Sequence, residues 1–177
     1  FANQKGGVGK TTSAVNVAAS LGVIGFRTLI VDLDPQGNTT SGVGIAKRGL
    51  KTTTREVLLG EAEAKDVIIK TEFNNLSVMP ANISLAGAEF DLFDFEDNEY
   101  RLKNALKTVE NDYDYVVIDC PPSLGMLTVN GLTACDGVVV PMQCEFYALE
   151  GLSQLLITIK RINKMYNDKL AVCGILI

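Results

Sequence analysis

A glycine-rich segment near the start of the chain, residues 3–12, constrains the fold more than any other feature of the sequence. It reads Asn-Gln-Lys-Gly-Gly-Val-Gly-Lys-Thr-Thr. Glycines lack a Cβ, so the backbone can curl and point several N–H groups into one concavity, which binds anions. A helix that begins directly after the glycines adds the positive end of its dipole. The segment therefore predicts a phosphate-binding loop.

Two side chains in this loop suit a nucleoside triphosphate. Lys10 supplies a mobile ammonium for the β- and γ-phosphates, and Thr11 supplies a hydroxyl for Mg²⁺. The alternative is a flexible turn before an ordinary helix, but such a turn needs no lysines and threonines in register with glycines. The other residues that we expect to contact the phosphates are Lys5, Gly6, Gly7, Val8, Gly9 and Thr12.

The loop departs from the pattern G-x-x-x-x-G-K-[ST], because Gln4 replaces the first glycine and Lys5 follows it. K-G-G-x-G-K-T-T resembles the deviant Walker A loop of the partition and positioning ATPases, which include ParA/Soj, MinD and the nitrogenase iron protein. The resemblance implies a SIMIBI-type P-loop NTPase that binds ATP and Mg²⁺. It also implies that Lys5 reaches across a dimer to the partner's nucleotide and acts there as a catalytic cation, beside the subunit's own Lys10. Without the resemblance, Lys5 would be interpreted as an exposed loop lysine.

Two carboxylates that follow apolar runs are candidates for the chemistry. Asp119 ends the run 115–119 at the position of a Walker B residue, which holds Mg²⁺, often through water. Asp34 lies in D-L-D-P-Q-G-N, and the resemblance assigns an aspartate at that place to positioning the attacking water. The alternatives are a cap or turn role for Asp119 and the start of a proline turn for Asp34. Asp32 belongs to a strand end and is the less favoured catalytic residue.

Apolar runs of strand type alternate with helical patterns along the chain. Strands are predicted at 28–32, 76–79, 115–119, 137–141 and after Asp168, and helices at 11–21, 54–59, 83–90, 100–109, 125–134 and 149–166. The last helix should bury five apolar residues and expose three basic ones, which are Leu152, Leu155, Leu156, Ile159 and Ile162, and then Lys160, Arg161 and Lys164. The acidic residues 91–99 are predicted to be a solvated connection.

This order of elements indicates an α/β fold with a mostly parallel, twisted sheet and helices on both faces. Ligands bind such sheets beyond the carboxyl ends of the strands. The loop at 5–12, Asp34 and Asp119 should all lie there. That convergence supports a nucleotide site more strongly than any one motif.

The composition fits a single domain over residues 1–177. The chain is 47% hydrophobic with a mean hydropathy of +0.19. It contains no apolar stretch near the roughly 20 residues of a membrane span, and it shows no signal peptide, which predicts the cytoplasm. The chain begins at Phe1, without an initiator Met, and stops in an apolar strand. We therefore expect it to be truncated at both ends, with most of the strand that feeds the loop lying upstream.

Charge and cysteine content exclude some classes of site. The net charge of −5 and the pI of about 4.8 argue against a dominant nucleic-acid surface in this segment, although a local basic patch stays open. The cysteines form no C-x-x-C pair and there is no histidine, so a zinc site is disfavoured. We expect reduced and mostly buried thiols at Cys120, Cys135, Cys144 and Cys173.

Two further runs resemble the ParA/Soj branch of the family. They are D-L-D-P-Q-G-N-T-T at 32–40 and Q-C-E-F-Y-A-L-E-G at 143–151. From physics alone, Phe146, Tyr147 and Leu149 in the second run are predicted core or dimer contacts. The resemblance implies an ATP-dependent homodimer that sandwiches two ATP molecules, binds nonspecific DNA and hydrolyses ATP when a ParB/Spo0J-type centromere-binding protein acts on it. Such a protein would be cytoplasmic and associated with the nucleoid.

Two other functions stay open at this point. One is a MinD-like cell-division regulator recruited to the membrane, which an amphipathic C-terminal helix in the full gene would reveal. The other is an ATP-driven iron–sulfur reductase, for which Cys120 and Cys135 are a poor fit because Cys120 directly follows Asp119 at the strand end.

Overall fold

The computed structural model of the chain describes residues 1–145 and 148–177, with the side chains of 148–150 left aside. The strands in this part of the chain are β1 Thr28–Asp32, β2 Ile69–Lys70, β3 Leu76–Met79, β4 Tyr115–Asp119, β5 Gly137–Pro141 and β6 Ala171–Leu176. The helices are α1 Lys10–Val23, α2 Asn38–Gly42, α3 Thr54–Leu59, α4 Ala64–Val67, α5 Leu85–Asp91, α6 Arg101–Lys107, α7 Met126–Ala134 and α8 Ala148–Met165. A 3-10 turn, Leu92–Asp94, follows α5 directly.

The strands form the parallel arrangement that the sequence predicts. β1 pairs in parallel with β3 and β4, and β5 pairs in parallel with β6. The first two residues join these groups: the Phe1 amino group donates to the carbonyl of Ile118 at 2.7 Å, and the N–H of Ala2 donates to the carbonyl of Val139 at 3.2 Å. The two-residue strand β2 was not predicted, and it pairs antiparallel with β3 at the edge of the sheet.

Helices cover both faces of the sheet, because successive side chains of a strand point to opposite sides. Leu29 and Val31 of β1 belong to the larger core, which α3, α5, α6, α7 and α8 complete. Ile30, between them, belongs to the smaller core. Ala14 and Ala18 of α1 complete that smaller core, and both are fully buried. The predicted α/β fold with helices on both faces is confirmed.

The acidic segment 91–99 is only in part the solvated connection that its charge predicts, because Phe93, Asp94 and Glu96 are exposed while other residues contact the domain. Its 3-10 turn carries Leu92, which is fully buried. Two of its carboxylates form ion pairs with arginines of neighbouring helices, Asp91 with Arg55 at 3.1 Å and Asp97 with Arg101 at 3.3 Å. The segment therefore contacts the domain through Leu92 and these two ion pairs, and it is partly exposed between them.

Other predictions differ from the structure in smaller ways. Cys144 and Cys173 are exposed, so the expectation of mostly buried thiols is wrong for these two. In α8, Leu152 and Leu156 are only half-buried, whereas the other predicted apolar and basic positions are confirmed. The predictions for Phe146, Tyr147 and the side chain of Leu149 lie outside the described residues. Among those that are described, no helix combines the length and the apolar character that crossing a bilayer requires.

Gly22 allows α1 to end in close contact with the loop before β3. A Cβ at Gly22 would lie 2.1 Å from the carbonyl oxygen of Asn74, and the side-chain amide of Asn75 donates to the Gly22 carbonyl at 3.0 Å. We expect Gly22→Ala to lower the free energy of unfolding by about 1–3 kcal/mol, because backbone must move to admit the methyl group. Chemical denaturation measures this change.

Gly87 in α5 supplies the matched control, since a Cβ there would meet nothing within 4 Å. Gly87→Ala should be neutral or stabilise the protein by up to about 1 kcal/mol, because alanine is the better helix former. Equal stabilities of the two variants would show that the contact at Gly22 does not constrain the fold.

Candidate functional site

The glycine-rich loop has the conformation that its sequence predicts. Gly7 and Gly9 have φ angles of 74° and 86°, which side chains with a Cβ rarely adopt. α1 begins at the next residue, Lys10, and the N–H of Ser13 donates to the Gly9 carbonyl at 2.8 Å. Among residues 1–145 and the described atoms of 148–177, a Cβ at Gly6 or Gly7 would meet nothing within 4 Å. The loop therefore leads directly into the positive end of α1, and the space above its first two glycines is open.

Lys10 bends back over the loop and is buried. Its Nζ donates to the carbonyl of Lys5 at 3.0 Å. Burial lowers the pKa of Lys10, and the carboxylates of Asp119 and Asp34 partly offset this effect. A bound phosphate would favour the charged ammonium in the same way, so the position of Lys10 suits an anionic ligand.

Asp119 is the main candidate in this site for binding a metal ion. Its Oδ2 accepts hydrogen bonds from the hydroxyls of Thr11 and Thr39, each at 2.7 Å. Its Oδ1 is buried and has no hydrogen-bond partner among residues 1–145 and 148–177. Burial raises the pKa of Asp119, and the bonds from Thr39 and Thr11 partly offset this rise. Since Mg²⁺ prefers oxygen ligands, the free carboxylate oxygen beside the Thr11 hydroxyl fits this ion, directly or through water.

Asp34 lies in the loop that follows β1, and its side chain is mostly buried. One carboxylate oxygen accepts the N–H of Gln36 at 2.9 Å, and its carbonyl accepts the N–H of Gly37 at 2.8 Å. Asp34 therefore starts a turn, as the alternative interpretation of the sequence proposes. Its carboxylate also favours the charged form of Lys10 and so raises the pKa of that lysine.

Asp32 is fully buried at the end of β1 and is paired in register with Asp119 of β4. Its carboxylate accepts the N–H of Asp34 at 3.1 Å. It also accepts both the N–H and the hydroxyl of Thr40, at 2.8 and 2.7 Å. Among the described residues, the carboxylate of Asp32 thus accepts three hydrogen bonds, whereas that of Asp34, the favoured catalytic residue, accepts one.

Lys5 forms an ion pair with Glu145 of the same subunit, and both side chains are partly exposed. The backbone N–H of Lys5 donates to the side-chain oxygen of Asn3 at 3.0 Å. The side-chain amide of Gln143 donates to the carbonyl of Gly7 at 3.4 Å. The segment after β5 therefore lies alongside the loop and gives Lys5 a partner within its own subunit.

The structure thus brings Lys10, Thr11, Asp34 and Asp119 to one edge of the sheet, as predicted. Thr12 is exposed, and Val8 is buried beneath the loop.

Sequence reasoning missed Thr39, Thr40 and Glu145, and it undervalued Asp32. The signal for the threonines was present, since N-T-T follows the Pro-Gln-Gly turn directly. No local signal links Glu145 to Lys5, because 140 positions separate them.

Asp32 makes the stability of the protein depend on pH. Burial raises its pKa to about 6, although the bonds from Thr40 and Asp34 act against this rise. The folded protein therefore binds this proton more tightly than the unfolded chain, so stability falls as the pH rises from about 4 to about 6. Compared with Asp32→Asn, the wild type should lose on the order of 2–3 kcal/mol of unfolding free energy over this window. Urea denaturation at several pH values measures the difference, and parallel pH profiles would contradict the prediction.

The chain matches known proteins over nearly its whole length. A family model described as an AAA domain matches residues 1–172. The sporulation initiation inhibitor protein Soj of Bacillus subtilis is 54% identical over 175 residues, which cover 99% of this chain and 69% of that protein. The chromosome partitioning protein ParA of Caulobacter vibrioides is 49% identical over 179 residues, which cover 100% of this chain and 67% of that protein.

The fold also matches a solved structure that contains a nucleotide. The crystal structure described as cobyrinic acid a,c-diamide synthase from Mycobacterium smegmatis, with a bound ATP analogue and magnesium, has a TM-score of 0.95 and 47% identity. The match covers 99% of this chain and 71% of that one. On these similarities, together with the loop and the two strand-end aspartates, the chain belongs to the ParA/Soj family of chromosome-partitioning ATPases.

Proposed function

We propose that this protein is an ATP-driven dimerising switch for the partitioning of a chromosome or plasmid. The observation that carries the proposal is the buried Oδ1 of Asp119, which has no hydrogen-bond partner in the described part of the chain and belongs to the carboxylate that accepts the Thr11 hydroxyl. A divalent cation whose water ligand donates to this oxygen would remove the free-energy penalty of an unsatisfied buried acceptor. The ATP analogue and magnesium bound to the protein from M. smegmatis support the same ligands here.

Each side chain of the site then has one role. Lys10 binds the β- and γ-phosphates, and Thr11 and Asp119 hold Mg²⁺, with Asp119 acting through water. The backbone of residues 5–12 surrounds the phosphates. ATP with Mg²⁺ supplies the phosphoryl group and neutralises its charge, so the protein contributes mainly by placing groups and charges. Asp34 orients the attacking water.

Lys5 acts in trans in this proposal. Within the subunit its ammonium is neutralised by Glu145, but the pair is partly exposed, and exposed ion pairs contribute little free energy. Lys5 can therefore leave Glu145 for the phosphates of a partner's nucleotide at little cost in free energy. In the described part of the chain, no atom lies within 4 Å of where a Cβ of Gly6 or Gly7 would be, which suits close approach of a partner's loop.

In the proposed cycle, the ATP-bound dimer binds nonspecific DNA, and a ParB/Spo0J-type protein stimulates ATP hydrolysis. Such a protein would act in the cytoplasm, at the nucleoid. Lys160, Arg161 and Lys164 are exposed on α8, where they are available to phosphates or simply to solvent. The names of the relatives at 49–54% identity favour partitioning over a MinD-like role. Cys120 is 3% exposed, which keeps its thiol away from a cluster shared between subunits.

Replacement of Asp34 and of Lys5 should separate their roles. In the full-length protein, Asp34→Ala should keep ATP binding and stop hydrolysis, so that Mg–ATP traps a stable dimer. Lys5→Ala should also stop hydrolysis but should weaken the dimer, because the charge of the facing phosphates is left uncompensated. Sedimentation with Mg–ATP and a phosphate-release assay measure both effects.

Glu145→Ala is the matched control for Lys5→Ala, because it removes the same ion pair and leaves the lysine in place. It should preserve both the dimer and hydrolysis. If Asp34→Ala is monomeric while Lys5→Ala forms a stable dimer, or if Glu145→Ala reproduces the effects of Lys5→Ala, the assigned roles are wrong.

DNA binding by the full-length protein should require ATP and should weaken steeply with salt. Nonspecific contacts to phosphates release counterions, so the affinity should fall sharply between about 50 and 200 mM salt. Titration of a random-sequence duplex, with and without Mg–ATP, tests this expectation. A salt-insensitive complex, or one equally tight without nucleotide, would count against a partitioning role.

A further inference from the structure

We infer that Asp32 and Thr40 are positioning residues for hydrolysis: they form a buried clamp that fixes the loop 33–40 and thereby presents Asp34 to the nucleotide. The inference rests on the proposed function, because it concerns the residue that would orient the attacking water. Neither Asp32 nor Thr40 needs to touch the nucleotide in this role.

The first half of the clamp is the carboxylate of Asp32. It is fully buried, and it accepts three hydrogen bonds that all come from the loop and from the start of α2. One donor is the backbone N–H of Asp34 itself. The other two are the N–H and the hydroxyl of Thr40, so one carboxylate holds both ends of the segment that contains the proposed catalytic aspartate.

The second half of the clamp is the hydroxyl of Thr40, which is also fully buried. While it donates to Asp32, it accepts the backbone N–H of Ala81 at 2.8 Å, just beyond the end of β3. One hydroxyl therefore connects the end of β1, the start of α2 and the segment after β3. Gly37 lies close to the same segment, since a Cβ there would be 2.7 Å from the Ala81 carbonyl oxygen.

Thr39, next to Thr40, links the clamp to the metal-binding side of the site. Its hydroxyl donates to Asp119 on β4, whereas that of Thr40 donates to Asp32 on β1. Two successive threonines thus fasten α2 to two adjacent strand ends. With its ends fixed in this way, the loop has little freedom to move Asp34, and displacement of a reacting group by about 1 Å can reduce a rate about 100-fold.

The test replaces the Thr40 hydroxyl without changing the size of the side chain. In the full-length protein, Thr40→Val should reduce kcat for Mg–ATP hydrolysis at least about tenfold. The Kd for Mg–ADP should change less than about threefold, since Lys10, Thr11 and Asp119 keep their places. Thr40→Ser, which restores a hydroxyl, should recover most of kcat.

Thr54 supplies the matched control for the loss of a buried hydroxyl. It is fully buried in the same region, and its hydroxyl donates to the carbonyls of Met79 and Pro80 at 3.3 and 3.0 Å, both of which lie outside the loop 33–40. Thr54→Val should therefore leave kcat within about threefold of the wild type, even if it costs about 1 kcal/mol of stability. Equal losses of kcat in the two valine variants would show that general packing, not the clamp, supports hydrolysis.

Hydrogen exchange of the nucleotide-free protein provides a readout that does not depend on activity. The amide hydrogens of Asp34 and Thr40 should exchange at least about tenfold faster in Thr40→Val than in the wild type, and they should keep the wild-type rate in Thr54→Val. If the wild type hydrolyses ATP, an unchanged kcat in Thr40→Val would overturn the clamp. Unchanged hydrogen exchange at Asp34 and Thr40 in this variant would overturn it as well. A wild type that binds Mg–ADP but never hydrolyses Mg–ATP would instead overturn the proposed function.

Discussion

Two buried carboxylates side by side are the constraint on which the rest of the site depends. The parallel register of β1 and β4 places Asp32 opposite Asp119, and both are fully buried. Burial of adjacent acids is costly, and the fold offsets part of that cost with hydroxyls from Thr11, Thr39 and Thr40. The compensation is incomplete, since one oxygen of Asp119 has no partner among the residues that the structure describes and both pKa values are raised. A bound divalent cation would compensate the remaining negative charge of these two carboxylates.

The cationic side of the site is held by exchangeable contacts. Lys10 is bound to the carbonyl of Lys5, and Lys5 is paired with Glu145. For Lys10 a phosphate would be the stronger partner, because an ionised acceptor forms stronger hydrogen bonds than a neutral carbonyl does. For Lys5 a phosphate would replace one carboxylate of a partly exposed ion pair. These contacts hold the lysines near the loop while leaving them free to exchange partners. The anchored carboxylates and the exchangeable lysines together suit a switch that responds to nucleotide.

The two cores fix the position of the strand ends at which the site is built. Alternate residues of β1 enter cores on opposite faces, so the strand cannot slip by one residue without moving each side chain into the opposite core. Asp32 is the last residue of that strand, and its position follows from the same register. Beyond the sheet, Leu33 still bonds to β4, since its N–H donates to the Asp119 carbonyl at 3.0 Å, whereas Asp34, Thr39 and Thr40 bond to the carboxylates of the strand-end aspartates. The bonds of the loop 33–40 to Asp32 and Asp119 take over the role that strand pairing plays within the sheet.

The sequence by itself determined the features that depend on local chain geometry. Glycines at 7 and 9 permit the left-handed turns of the loop, Lys10 begins the helix, and alternating apolar runs specify a parallel sheet with Asp119 at a strand end. The tertiary structure alone decided the features that depend on contacts between distant segments. It buried Leu92 within an acidic run, paired Lys5 with Glu145, and gave Asp32 and Thr40 their shared position. The physical reason is that a local pattern fixes dihedral angles and buried faces, whereas strand register and long-range packing determine which polar groups meet.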